Sequence, residues 1–210
     1  MVTCSPYAAS DRPEIRELIP PNAVRFLDVG CNDGSFGAWL KSSRQCRVLG
    51  IEPNESQAAI ATRNLDAVVQ GFYPESIDSI NEQFDCITFN HVLEHIYDPW
   101  EALRKTKKLL ASGGRVVSLI PNTRYITLMY QLAVKGRWDY QEAGLLDRTH
   151  IRFFTRANAI EMFEESGYRV EQVKATNAVL SRRAPRVSTG LAWCLGEWVH
   201  GAYAISATPL

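Results

Sequence analysis

Apolar and polar positions along this chain fall into a repeating rhythm. Short apolar runs at residues 24–29, 47–51, 67–70, 84–90 and 114–122 suit strands buried on both faces. Between them, apolar positions recur at helical spacing. Residues 36–42 form one such helix, and residues 55–64 a second, opened by Asn54. A third is opened by Asp98 and Pro99, runs to Ala111 and closes at Gly113 and Gly114. Strand and helix in alternation predict an α/β protein with helices on both faces of the sheet. Residues 125–140 interrupt the alternation with an amphipathic, aromatic stretch, so a helical insertion is expected after the fifth strand. A helix between Thr155 and Gly167 and strands over residues 168–176 and 201–207 complete the pattern. Residues 11–19, ahead of it all, read as a short helix capped by Asp11.

The turn after the first strand carries the chemistry. Asp28 ends the strand, and Gly30-x-Asn32-x-Gly34 follows, with Cys31 inside it. Glycine accepts positive φ and lets a ligand approach the backbone. Asn is the other residue that best tolerates a left-handed backbone. The spacing is not the G-x-G-x-x-G of dinucleotide folds. A carboxylate at Asp28 suits a cationic amino acid better than a pyrophosphate. Glu52, at the end of the second strand and about 20 residues beyond the turn, is placed to accept from both hydroxyls of a ribose.

These residues resemble motif I of class I S-adenosylmethionine (SAM) methyltransferases, D-x-G-x-G-x-G, with Asn32 at the middle glycine. The later run F-D-x-I (84–87), x-x-L-E-H-x-x-D-P (91–99) and L-x-x-G-G followed by Pro121-Asn122 extends the resemblance over residues 23–122. The resemblance implies a Rossmann-like seven-stranded sheet of order 3-2-1-4-5-7-6, with the seventh strand antiparallel. It further implies a single domain over residues 1–210. Residues 1–22 would be a lead-in, 123–150 a substrate cover and 178–200 a connection before the last strand. S-adenosylmethionine is the implied cofactor. Asp28, Gly30, Cys31, Asn32, Gly34, Glu52, Pro53, Gly71, Phe72, Asn90 and His91 would contact it. Arg12, with Arg16 as the alternative, would approach its carboxylate. Phe72 stands where many relatives have an Asp that accepts from the adenine amino group, so stacking or a backbone contact is expected instead.

Composition narrows the partners. Lys plus Arg equals Asp plus Glu at 23 each, which argues against nucleic acid as an electrostatic partner. The five cysteines are scattered without C-x-x-C, as expected of reduced thiols in a cytoplasmic protein. Neither a signal peptide nor an apolar run near the ~18 residues of a spanning helix is seen. Trp193 and Trp198 in the connection suit ordinary packing, with a homodimer contact or a peripheral membrane contact as alternatives.

The candidates for catalysis are His91, Glu94, His95 and His150. His91 and His95 are four apart, the spacing of two ligands on one helical face. The segment resembles M-L-E-H-V of ubiquinone-biosynthesis O-methyltransferases, some of which bind a divalent ion. His91 replaces the upstream acid of that pattern, and the glutamate of the zincin pattern is missing too, so no metal is expected. His150 and His95 are the expected catalytic residues, His being the default general base near neutral pH. Residues 144–155 resemble methyltransferases of bacterial polysaccharide, other glycan and secondary-metabolite pathways. The expected function is therefore methyl transfer to a small-molecule or glycan acceptor, at oxygen. Two rivals are a catalytically degenerate binding or scaffold subunit and an NAD(P)-dependent oxidoreductase. Asp28, the glycine spacing and the lack of a Tyr-x-x-x-Lys pair speak against the second. Asn90-His-Val-Leu stands where nucleic-acid methylases carry N-P-P-Y or D-P-P-Y.

Overall fold

The structure, a computed structural model, describes residues 13–178 and 196–210. Its seven strands are β1 (Arg25–Val29), β2 (Arg47–Glu52), β3 (Ala67–Gln70), β4 (Phe84–Asn90), β5 (Leu110–Pro121), β6 (Tyr168–Ala178) and β7 (His200–Pro209). They form one sheet of order β3-β2-β1-β4-β5-β7-β6. The first five are parallel, and β7 lies antiparallel between β5 and β6. The expected order is therefore the observed one.

Alternation along the strands divides the core into two layers. Phe26, Val48, Cys86 and Val117 point to one face, where they meet Ile15 of α1 (Pro13–Arg16), Leu40 of α2 (Ser35–Ser43) and Ala61 of α3 (Glu55–Ala61). Leu27, Leu49, Ile87 and Val116 point to the other. There they join Leu103 of α4 (Pro99–Thr106) and Phe163 of α6 (Arg156–Glu165). Both faces are dry, which explains why the strands read as unbroken apolar runs.

Helix starts follow their side chains. Asn54, Asp98 and Thr155 each accept the backbone N–H three residues on, from Gln57, Glu101 and Asn158. Helix ends differ from the sequence expectation in three places. The α1 helix stops at Arg16 rather than residue 19, and its expected cap, Asp11, lies outside the described residues. The α3 helix stops at Ala61 rather than residue 64, and Asn64 instead turns its amide to the carbonyl of Asp33 at 2.7 Å. The α4 helix stops at Thr106, passes through a 3₁₀ turn over Lys107–Leu109, and β5 begins at Leu110. Leu110 pairs with Phe84, so the sheet captures the chain before Gly113 and Gly114 are reached. A Cβ at Gly114 would lie 2.8 Å from the Phe84 carbonyl oxygen, so glycine here permits close backbone approach, not helix termination.

The insertion after β5 contains α5 (Ile126–Ala133). Asn122, fully buried, anchors its start by donating to the carbonyls of Glu197 and His200 at 2.9 and 2.8 Å and accepting from the N–H of Arg124. At its far end, the N–H groups of Ile151 and Arg152 both donate to the carbonyl of Glu94 at 3.0 Å. The insertion is thus fastened over the C-terminal end of β4.

Candidate functional site

A cavity of about 980 Å³ opens at the C-terminal ends of β1, β2 and β4, the usual ligand position of a doubly wound sheet. Asp28, Gly30, Cys31, Asn32, Glu52, Pro53, Gly71, Phe72, Asn90, His91 and His95 all line it. Gly34 does not: it has φ 78° at the start of α2 and packs against Ala61 and Leu65. Arg12 lies outside the described residues, as do Cys4, Trp193 and Cys194. Arg16 is placed against Trp39, its guanidinium 3.7 Å from the ring centroid.

The glycine turn is shaped by its neighbours. Gly30 has φ 67°, and a Cβ there would meet Val92 at 2.6 Å. Asn32 has φ 52° and donates its backbone N–H to Glu52 Oε2 at 2.9 Å. The other oxygen of Glu52 accepts from the N–H of Asn54, also at 2.9 Å. Each carboxylate oxygen has two lone pairs, so each retains one toward the cavity for a hydroxyl donor. Asp28 is buried, and its Oδ1 accepts from Thr88 Oγ1 at 2.6 Å and Asn90 Nδ2 at 3.3 Å. Asn90 Oδ1, by contrast, is buried without a hydrogen-bond partner. Burial and the Asp28 and Glu52 charges push the Cys31 thiol far up, so it stays protonated and unreactive. Phe72 presents a 69% exposed ring on the rim.

The histidines are arranged otherwise than a helical turn would place them. His91 has φ 58°, and only Leu93–His95 form a single 3₁₀ turn. His91 Nδ1 therefore meets Glu94 Oε1 at 3.2 Å, while His95 turns away to Thr149, with Nδ1 3.2 Å from its carbonyl and 3.0 Å from its hydroxyl. His95 lines the cavity. His150 does not. It is buried behind His95, with ring centroids 4.6 Å apart, its Nδ1 3.1 Å from the Leu145 carbonyl and its Nε2 3.8 Å from Glu94 Oε1. Burial holds the His150 pKa below the usual histidine value, against the upward pull of Glu94.

Among the described residues, Glu94, His95 and His150 bring one ligand-capable atom each within 4.8 Å of one another. Ligands on one zinc-like ion at about 2.1 Å would sit about 3.4 Å apart. The 3.8 Å from Glu94 to His150 is wider than that. Sequence reasoning missed Phe36, Gln57, Tyr97 and Thr149, which also line the cavity. Thr149 and Tyr97 flank residues already singled out, so proximity in the chain was the one available signal.

Fold and site together define a doubly wound α/β protein with a cofactor-sized cavity at the strand ends. Comparison with known proteins narrows this. The profile of a methyltransferase domain family matches residues 6–173, and the chain belongs to that family. An uncharacterised protein of Mycobacterium tuberculosis is 26% identical over 170 residues, covering 80% of this chain and 55% of its own length. The chain therefore spans little more than half of that relative. The ubiquinone biosynthesis O-methyltransferase of Aeromonas salmonicida is 28% identical over 162 residues, covering 73% of this chain and 66% of its own. Among solved structures, a SAM-dependent methyltransferase from Archaeoglobus fulgidus superposes with a TM-score of 0.65 at 19% identity, covering 93% of this chain and 88% of that one. One from Mesorhizobium loti gives 0.64 at 18%, covering 95% and 98%. At such identities these two bear on the fold alone.

Proposed function

We propose that this domain transfers the methyl group of S-adenosylmethionine to a hydroxyl oxygen of a small-molecule or glycan acceptor. The observation that carries the reading is one cavity with Asp28 and the Glu52-braced glycine turn on its inner wall and His95 beside the acceptor-side segment at Thr149. The donor set fits the cofactor. Glu52 would take the ribose hydroxyls, Asp28 and the backbone at Gly30 and Cys31 the amino-acid end, and Pro53, Gly71, Phe72 and His91 would enclose the adenosine. The unpartnered Asn90 oxygen offers a further acceptor. When bound, the cofactor supplies a methyl group already activated on a positively charged sulfur.

The chain's own work is then to place the acceptor and remove its proton. A main-chain carbonyl only accepts hydrogen bonds, so the contact to Thr149 places a proton on His95 Nδ1. In the neutral ring Nε2 is then a lone pair, the form a general base needs. His150 supports His95 from behind. Glycan acceptors are supported by the resemblance of residues 144–155, and oxygen by the imidazole at the cavity wall together with the O-methyltransferase relatives. The reading includes no metal.

Calorimetric titration with S-adenosylhomocysteine, with NAD as control, tests the proposal. Micromolar binding of the first and none of the second is expected. Binding of NAD alone would replace this reading with the oxidoreductase one. Binding of neither would favour a degenerate scaffold.

A further inference from the structure

Glu94 is unexplained by the reading above. Its carboxylate is 1% exposed and does not line the cavity. One oxygen receives a single hydrogen bond, from His91 Nδ1, and Oε2 is buried with no partner. An under-satisfied buried carboxylate is costly to keep, and a role for its charge is the natural reason to retain it.

The tautomers point to that role. Both His95 and His150 have Nδ1 against a main-chain carbonyl, of Thr149 and Leu145. Each therefore carries its proton on Nδ1 and has a bare Nε2 when neutral. The bare Nε2 of His150 faces Glu94 Oε1 at 3.8 Å, two acceptors that cannot bond each other. A ligand-capable atom of His95 lies within 4.8 Å of both. Such a set is electrostatically incomplete at rest and becomes complete on gaining one positive charge.

We propose that Glu94 is the positioning residue of the acceptor-side base, its buried charge stabilising the imidazolium formed when His95 takes the acceptor's proton. The inference rests on the methyltransferase reading. In the step, the acceptor O–H bond breaks, its electron pair stays on oxygen, and an N–H bond forms at His95 Nε2 from the ring's lone pair. The positive charge then lies on the His95 ring, 4.6 Å from that of His150 and in the same cluster as Glu94. Other titratable groups facing the cluster are Asp147, on the His150 side and bonded to Thr149, and His91, bonded to Glu94. The guanidinium of Arg152 is held off at the Tyr97 carbonyl and over the Tyr97 and Trp100 rings. Glu94 is thus the carboxylate that meets the bare nitrogen of His150 at 3.8 Å and lies within 4.8 Å of a ring nitrogen of His95.

The test is a ¹⁵N-histidine NMR titration of the wild type, Glu94→Gln and Glu94→Asp, each also titrated calorimetrically with S-adenosylhomocysteine. In the wild type at high pH, both His95 and His150 should show the Nδ1–H tautomer. In Glu94→Gln the His150 pKa should fall by about one unit or more, as loss of a nearby opposite charge requires. Glu94→Asp should restore most of the shift. An Nε2–H tautomer at His150 in the wild type would overturn the proposal without any variant being needed. So would an unmoved His150 pKa in a folded Glu94→Gln protein, or saturable displacement of both ¹⁵N resonances by added zinc or manganese. Loss of cofactor binding in the wild type would instead strike the methyltransferase reading and leave the Glu94 coupling standing.

Discussion

At the scale of single residues, Glu52 has the most to lose. Its two oxygens accept backbone N–H groups from two different turns, at Asn32 and Asn54, while facing the cavity. Glu52→Gln puts an amide nitrogen, which cannot accept, opposite one of those N–H groups and removes the charge. S-adenosylhomocysteine affinity should fall by about 1.5–3 kcal/mol, the range for charged hydrogen bonds. An unchanged calorimetric Kd would sink the ribose assignment. The turn-side wall of the cavity was legible in the sequence because it is local: Asp28, the turn and the acid at the end of β2 are fixed by strand length and glycine spacing. Asn32 was legible for the same reason, since left-handed backbone is a property of residue type. The histidine cluster was legible in its members but not in its arrangement. Glu94 and His150 meet through a chain separation of 56 residues, and nothing in the H-x-x-E-H run tells that His91 adopts φ 58° and breaks the helical face.

Among elements, the joint between β5, α5 and β7 depends on one side chain. Asn122→Ala would strip two donors from the Glu197 and His200 carbonyls and an acceptor from the Arg124 N–H, in a fully buried position. Unfolding should become easier by about 2–3 kcal/mol, seen as a lower urea midpoint with an unchanged slope. A midpoint within error of wild type would show that water replaces all three contacts. The capped helix starts were readable and the ends of α3 and α4 were not, for a physical reason. A cap such as Asp98 acts on N–H groups three residues away, within the same short stretch. The end of α4 is decided instead by Leu110 pairing with Phe84, a partner 26 residues back that no local pattern announces.

For the whole molecule, the balance of acids and bases leaves stability near neutral pH to individual groups. Burial lowers the pKa of His150 and of His200 below the ordinary value of 6.5. The unfolded chain then binds protons that the folded one refuses, so stability is full above about pH 6.5 and is lost as pH falls below it. Asp66 and Asp85, paired with Lys41 and Arg25, have lowered values and act in a separate window, below their ordinary 3.8. The urea midpoint should therefore drop between pH 7.5 and pH 5, and the drop should shrink in His150→Asn. A flat profile over that range would contradict the burial of both rings. The order of strands has a consequence during synthesis. The last of the seven sheet strands in chain order, β7, is an interior strand, bonded to β5 on one side and β6 on the other. Until it arrives, β5 presents an open edge and β6 has no neighbour, so the nascent chain waits half-built with its hydrogen-bonding edge available to other chains.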